Sequence, residues 1–163
     1  MEENMEIIEA TDDEYEIVCE LCKELDLYHV GIDPERVKEY TDIPRTPEQY
    51  YAYISGDKRV LLLAMVEDVA VGFVNMIITN IQEKVMRVGR SFAFLDNMFV
   101  SASYRDRGVG SDLFESALDW CKKNGIRKIK LQAYSSNKSA LKFYNAKGFS
   151  SFMHRMELDI EAE

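Results

Sequence analysis

Proline is scarce, with three residues in all, and each falls between positions 34 and 47. The rest of the chain is therefore free to run in uninterrupted elements. Cysteine is also scarce and odd in number, three in all, which argues against a disulfide framework and suits a reducing compartment. Cys19 and Cys22 form a C-x-x-C, but inside a helical pattern with no second pair or His cluster, so packing thiols are expected. The two histidines, His29 and His154, are too few and too far apart for a Ser-His or metal constellation, and no metal site is legible. No run of about 18 apolar residues occurs; the longest stretches, Val60–Val66 and Val69–Val74, have strand length. No membrane partner is therefore expected. The start, MEENMEIIEA, is acidic and lacks a basic n-region, so a cytoplasmic location is expected rather than secretion. Positive charge is in deficit: the formal net charge is −9 and the basic residues are scattered. Nucleic acid is thus an unfavourable partner, whereas a cationic small substrate is compatible. Without repeats, low-complexity tracts or linkers, residues 1–163 read as one domain, long enough to bury roughly 70% of its unfolded surface.

Capping and alternation divide the chain. Met5, Ile7 and Ile8 suggest a short strand, and Thr11 with Glu14 makes a capping box. The helix that follows carries Tyr15, Val18, Leu21, Cys22 and Leu25 on one face. From Leu27 to Pro47 a loop is expected, with a short helical piece at Glu35–Tyr40. Thr46-Pro47-Glu48 opens a second helix, with Pro at its first position, that ends by Gly56. Arg59–Glu67 and Val69–Thr79 read as a hairpin turning at Glu67-Asp68. Asn80–Ser91 is polar, either a long loop or the start of a strand. Strand Phe92–Val100 leads to a helix running from Val109 to Gly125. Next come strand Lys128–Tyr134, a short helix capped by Ser136 or Asn137 and closed by Gly148, and a last strand at Phe149–Leu158. The order implies an α+β fold with a mixed sheet.

The junction from Phe92 to Gly125 organises the rest. Gly108 and Gly110 let the backbone bend tightly and let a ligand approach its N–H groups. The first helical N–H groups carry partial positive charge, and Arg105 and Arg107 stand beside them. The segment can cradle a phosphate or pyrophosphate, or its glycines can serve the turn alone. It is neither a dinucleotide fingerprint, lacking the third glycine, nor a P-loop, lacking Gly-Lys-Ser/Thr.

Val100, Tyr104-Arg105-Asp106-Arg107-Gly108-Val109-Gly110 and Leu113 resemble the acetyl-CoA-binding motif of the GCN5-related N-acetyltransferases (GNAT), Gln/Arg-x-x-Gly-x-Gly/Ala. The order of elements resembles that family over nearly the whole chain. The resemblance implies a mostly antiparallel sheet with flanking helices, in which the parallel strands 92–100 and 128–134 splay apart to admit the coenzyme. It implies acetyl-CoA as cosubstrate, no metal, and compatibility with a homodimer. The backbone of Met98, Phe99 and Val100 would hold the pantetheine and polarise the thioester. Arg105, Asp106, Arg107, Gly108, Val109, Gly110 and Ser111 would form the pyrophosphate loop. SSNKSALKFYNAKGF resembles the family's late motif, in which Asn137 would contact the coenzyme and the Tyr144 hydroxyl would lie near its sulfur.

The residues themselves allow this chemistry. Asn137, Leu141 and Tyr144 share a helical face, and Asn137 and Tyr144 stand about 10 Å apart along the axis. A phenol there can protonate a departing thiolate, or Tyr144 can be a packing residue. Strand alternation places Asp96 with Phe92, Phe94, Met98 and Val100. A carboxylate on an apolar face suits a general base near neutrality; the alternative is a structural Asp bonded to a turn. The family more often has Glu there, and the shorter Asp can require a bridging water. An amine acceptor, small or peptide-borne and cationic, would meet Tyr28, His29, Asp33 and Glu35 of the early loop and Tyr50, Tyr51 and Tyr53 beyond it. The expected function is N-acetyl transfer from acetyl-CoA to a primary amine; the rival is a non-catalytic acyl-CoA-binding module on the same fold.

Overall fold

The computed structural model describes residues 4–35, 37 and 45–160. Those up to Gln132 form one compact unit and those from Ala133 onward a second. In the first unit, β1 (Met5–Glu9) leads to a 3-10 turn and α1 (Tyr15–Ile32). Then follow α2 (Pro47–Ile54), β2 (Arg59–Val66), β3 (Val69–Ile81), β4 (Arg90–Val100), α3 (Val109–Lys123) and β5 (Ile129–Leu131). The second unit contributes α4 (Lys138–Ala146).

The strands form one sheet in the order β1-β2-β3-β4-β5, antiparallel throughout except for the parallel pair β4-β5. This is the mixed α+β sheet expected from the order of elements. Local chemistry explains most of its boundaries. The Thr11 side chain caps the first turn while Glu14 reaches back to the Thr11 N–H at 2.7 Å. Thr46 and Gln49 repeat the device at α2, with Pro47 where a missing N–H costs nothing. The β2–β3 turn is tight because Glu67 (φ 47°) and Asp68 (φ 66°) both adopt the left-handed region.

The two faces of the sheet pack against different helices. Leu61, Leu63, Phe73 and Phe99 join Val18, Leu21, Cys22 and Leu25 of α1 and Tyr50 of α2 in one buried cluster. Gly72, next to Phe73, faces the other way, toward Leu113 of α3 and Val100. Full burial of Leu113 is worth roughly 2 kcal/mol.

Three expectations need correction. α1 continues to Ile32, so Leu27–Ile32, with Tyr28 and His29, are helical rather than loop. Tyr28 packs against the core cluster, and that burial holds the extra turn in place. The strand expected at Phe149–Leu158 does not form: residues 149–160 carry neither helix nor strand, and Met153, Met156 and Leu158 are exposed. Alternation alone cannot supply the ladder partner that a strand requires. The strand expected at Lys128–Tyr134 is likewise reduced to three residues. Most of the helical piece expected at Glu35–Tyr40 lies outside the described residues.

Candidate active site

β4 pairs with β5 only where Ala93–Leu95 meet Ile129–Leu131, although β4 runs on to Val100. β5 ends at Leu131, so beyond Leu95 that side of β4 pairs with no strand among the described residues. At the end of β4 the Ser101 N–H donates to the Val71 carbonyl at 2.9 Å. The chain then passes through Asp106 (φ 60°) and Gly108 (φ 89°), both left-handed, into α3. Asp tolerates this region better than most side chains; Gly does so without cost. No side chain caps α3 at Gly108. Its first N–H groups, at the positive end of the dipole, thus lack a side-chain acceptor.

The loop's side chains divide by role. The Arg105 Nε donates to the Val100 carbonyl at 2.9 Å, and its guanidinium lies 4.8 Å from the Tyr28 ring centroid and 5.5 Å from that of Phe99. Arg107 stacks over Tyr104 at 5.2 Å. Arg105 thereby ties α1, β4 and the loop together. Phe99 and Val109 are buried, Met98, Val100, Gly110 and Ser111 half-buried, and Asp106 and Gly108 exposed. For Phe99 and Val109 only the backbone can face a ligand.

Asp96 stands in a β-bulge. Asn75 pairs with Asn97 and Met76 with Leu95, which leaves Asp96 as the inserted residue. The insertion reverses the expected alternation. Phe92, Phe94, Asn97 and Phe99 share the face turned to α1, while Ala93, Leu95, Met98 and Val100 share the other. Asp96 is exposed and accepts hydrogen bonds at Oδ2 from Asn97 Nδ2 (3.1 Å) and Asn75 Nδ2 (3.4 Å). Its other oxygen, Oδ1, has no bonding partner among the described residues. Asn75 and Asn97 were not singled out from sequence, although an Asn inside the apolar run VGFVNMII is a visible signal.

The same face carries a small recess lined by Val18, Cys22, Leu25, Leu61, Phe73, Arg45, Tyr53 and Asn97. Arg45 is held there by a two-pronged ion pair with Asp26 at 2.8 and 3.0 Å. Of the residues expected to receive an amine, Tyr53 lines this recess and Tyr51 is exposed. Tyr50 is excluded: it is buried, its hydroxyl donates to the Thr11 carbonyl, and its ring packs edge-on to Tyr15. Burial lowers the His29 pKa. Asp33 ends α1 and is nearly buried.

In the second unit, Asn137 rather than Ser136 caps α4, its Oδ1 accepting the Ala140 N–H at 3.1 Å. Tyr144 lies between Phe143 and Phe149, each ring centroid 5.5 Å away. Burial pushes its phenol up to about 12, so it keeps its proton through neutral pH.

Comparison with known proteins assigns the class. The acetyltransferase (GNAT) family model matches residues 21–149. The chain belongs to this family. An uncharacterized N-acetyltransferase of Methanocaldococcus jannaschii, MJ1207, is 37% identical over 60 residues, or 37% of this chain and 26% of that protein. The matches span 26% to 54% of the length of the curated relatives. The fold is that of the BH1408 protein of Bacillus halodurans (TM-score 0.88, 22% identity, 95% of this chain and 99% of that one). It is also that of the aminoglycoside N-acetyltransferase AAC(6')-Iy in complex with CoA (TM-score 0.71, 20% identity, 96% and 100%). Among the described residues no helix is long and apolar enough to cross a membrane.

Proposed function

We propose that the protein transfers the acetyl group of acetyl-CoA to a primary amine by direct attack, without an acyl-enzyme. The observation that carries this reading is the junction of β4 and α3. A helix N-terminus without a side-chain cap lies behind a left-handed Gly108, after a strand whose last residues pair with no parallel neighbour among the described residues. Such a junction suits a pyrophosphate on the N–H groups and a pantetheine arm along the free side of Met98–Val100. Family membership and the CoA complex of AAC(6')-Iy support acetyl-CoA as the cosubstrate.

In the reaction the amine nitrogen bonds to the acetyl carbon as the carbon–sulfur bond breaks. One amine proton goes to Asp96, whose Oδ1 is available, and the thiolate takes a proton from the Tyr144 phenol. The role of Tyr144 rests on its motif. The acceptor is a cationic amine, supported by the net charge of −9. Aminoglycosides, the substrate class named for AAC(6')-Iy, fit this description.

Calorimetric titration with CoA and with ATP tests the cradle, using wild type and Gly110→Val. The expected result is that CoA binds more tightly than ATP and that folded Gly110→Val loses CoA affinity, because a branched side chain obstructs phosphate approach. Equal CoA affinity in both proteins would defeat it.

A further inference from the structure

We propose that Asn75 is a positioning residue for Asp96, and that its carbonyl oxygen anchors a buried water that locks the amide in place. This rests on the assignment of Asp96 as the proton acceptor. Asn75 has no solvent exposure. Its Oδ1 is buried and has no hydrogen-bond partner among the described residues. The amide cannot simply be turned over, because Asp96 Oδ2 can only accept, and Nδ2 must therefore face it. A buried amide oxygen left unbonded is costly enough that nature rarely keeps one without a donor close by.

The register shows where that donor belongs. Leu61 lies across from Asn75 on β2 and Asn97 across from it on β4, while Phe73 precedes it by two residues on the same face. These three neighbours all line the recess beneath α1. Asn75 is not itself part of that lining, so the donor to its Oδ1 is placed at the edge of the recess, among these three neighbours. A water there would bond to Oδ1 and hold the amide plane. Nδ2 of Asn75, together with Nδ2 of Asn97, would then hold Asp96 Oδ2 and leave Oδ1 toward the acceptor. The bulge makes this possible, since an unbulged strand would set Asp96 on the face opposite Asn97.

The test is a double-mutant cycle with Asn75→Leu, close in size and apolar, and Asp96→Asn, combined with a high-resolution crystal structure of wild type. Asn75→Leu is expected to lower kcat about ten- to hundredfold, as misplacement of a reacting group does. It should leave KM for acetyl-CoA unchanged and Tm unchanged or higher. In the Asp96→Asn background it should cost nothing further. The crystal structure should show a water within hydrogen-bond distance of Asn75 Oδ1. A purely structural Asn75 would lower kcat equally in both backgrounds, or not at all, and either result overturns the proposal. So does an Oδ1 with no ordered donor. If Asp96→Asn itself retains full activity, the assignment of Asp96 fails and the clamp loses its purpose with it. If Asp96→Asn is inactive and Asn75→Leu fully active, only the role of Asn75 fails.

Discussion

Gly108→Ala should separate the two demands placed on the loop before α3. The residue adopts φ 89° and ψ −14°, and a Cβ built there would meet nothing closer than Asp112 Oδ2 at 4.0 Å. Steric overlap therefore contributes nothing, and the cost is that of an L-residue in the left-handed region, about 1–2 kcal/mol. For a chain of this length each kcal/mol lowers Tm by about 2–4 °C, so a loss of roughly 2–8 °C is expected by calorimetry. Alanine can relieve the strain only by rotating φ, which turns the adjoining N–H groups away from a bound pyrophosphate. Losing one charge-assisted hydrogen bond is worth about 1.5–3 kcal/mol, or about ten- to hundredfold in the Kd for CoA. A Tm within about 1 °C of wild type together with unchanged CoA affinity would refute both the strain argument and the cradle.

Gly72→Ala should destabilise by a different route. Its Cβ would stand 2.7 Å from the Phe99 carbonyl oxygen and 3.2 Å from Leu113 and Val100 side-chain atoms, so β3 and β4 must separate, at about 1–3 kcal/mol in chemical denaturation. Tyr144→Phe should lower kcat by about 10²–10⁴-fold with little change in acetyl-CoA binding; an unaltered kcat with chemistry rate-limiting would make Tyr144 a packing residue. The same variant tests its burial. With the phenol raised from 10.0 to about 12, the unfolded chain ionises first, so this residue's stabilisation holds below pH 10 and is lost as pH rises toward 12. Wild type should accordingly lose stability more steeply than Tyr144→Phe across that interval. Burial pushes the Cys22 and Cys121 thiols up to about 11, so both should react slowly with a thiol reagent at pH 8 until the protein is unfolded.

Elements fixed by neighbours in sequence were legible; those fixed by partners across the sheet were not. Thr11 and Glu14, Thr46 and Pro47, and Glu67-Asp68 each announce a boundary within four residues, and the structure has them there. The β4–α3 junction was legible because its glycines, its apolar strand and its helix are contiguous. The bulge at Asp96 was not, because two-residue alternation reads the same until the pairing with β3 shows one residue inserted. With that insertion Asp96 is exposed and bonds two asparagines, one of them 21 positions away. The extension of α1 was concealed because the one-face apolar pattern ends at Leu25, and only the structure shows Tyr28 packed against the core. The family resemblance supplied, as an expectation that spacing could not give, the splay of the parallel strands beside the loop.

The proposed acetyl transfer to a cationic amine is decided by a panel of amines. Thiol release from acetyl-CoA is to be measured with spermidine, an aminoglycoside, a lysine peptide and a neutral arylamine, each at low and high salt. At least one cationic amine should be acetylated faster than the arylamine, at a rate that falls as salt rises. Thiol release indifferent to every amine would contradict an acetyltransferase, and a preference for the arylamine or rates indifferent to salt would contradict the cationic acceptor.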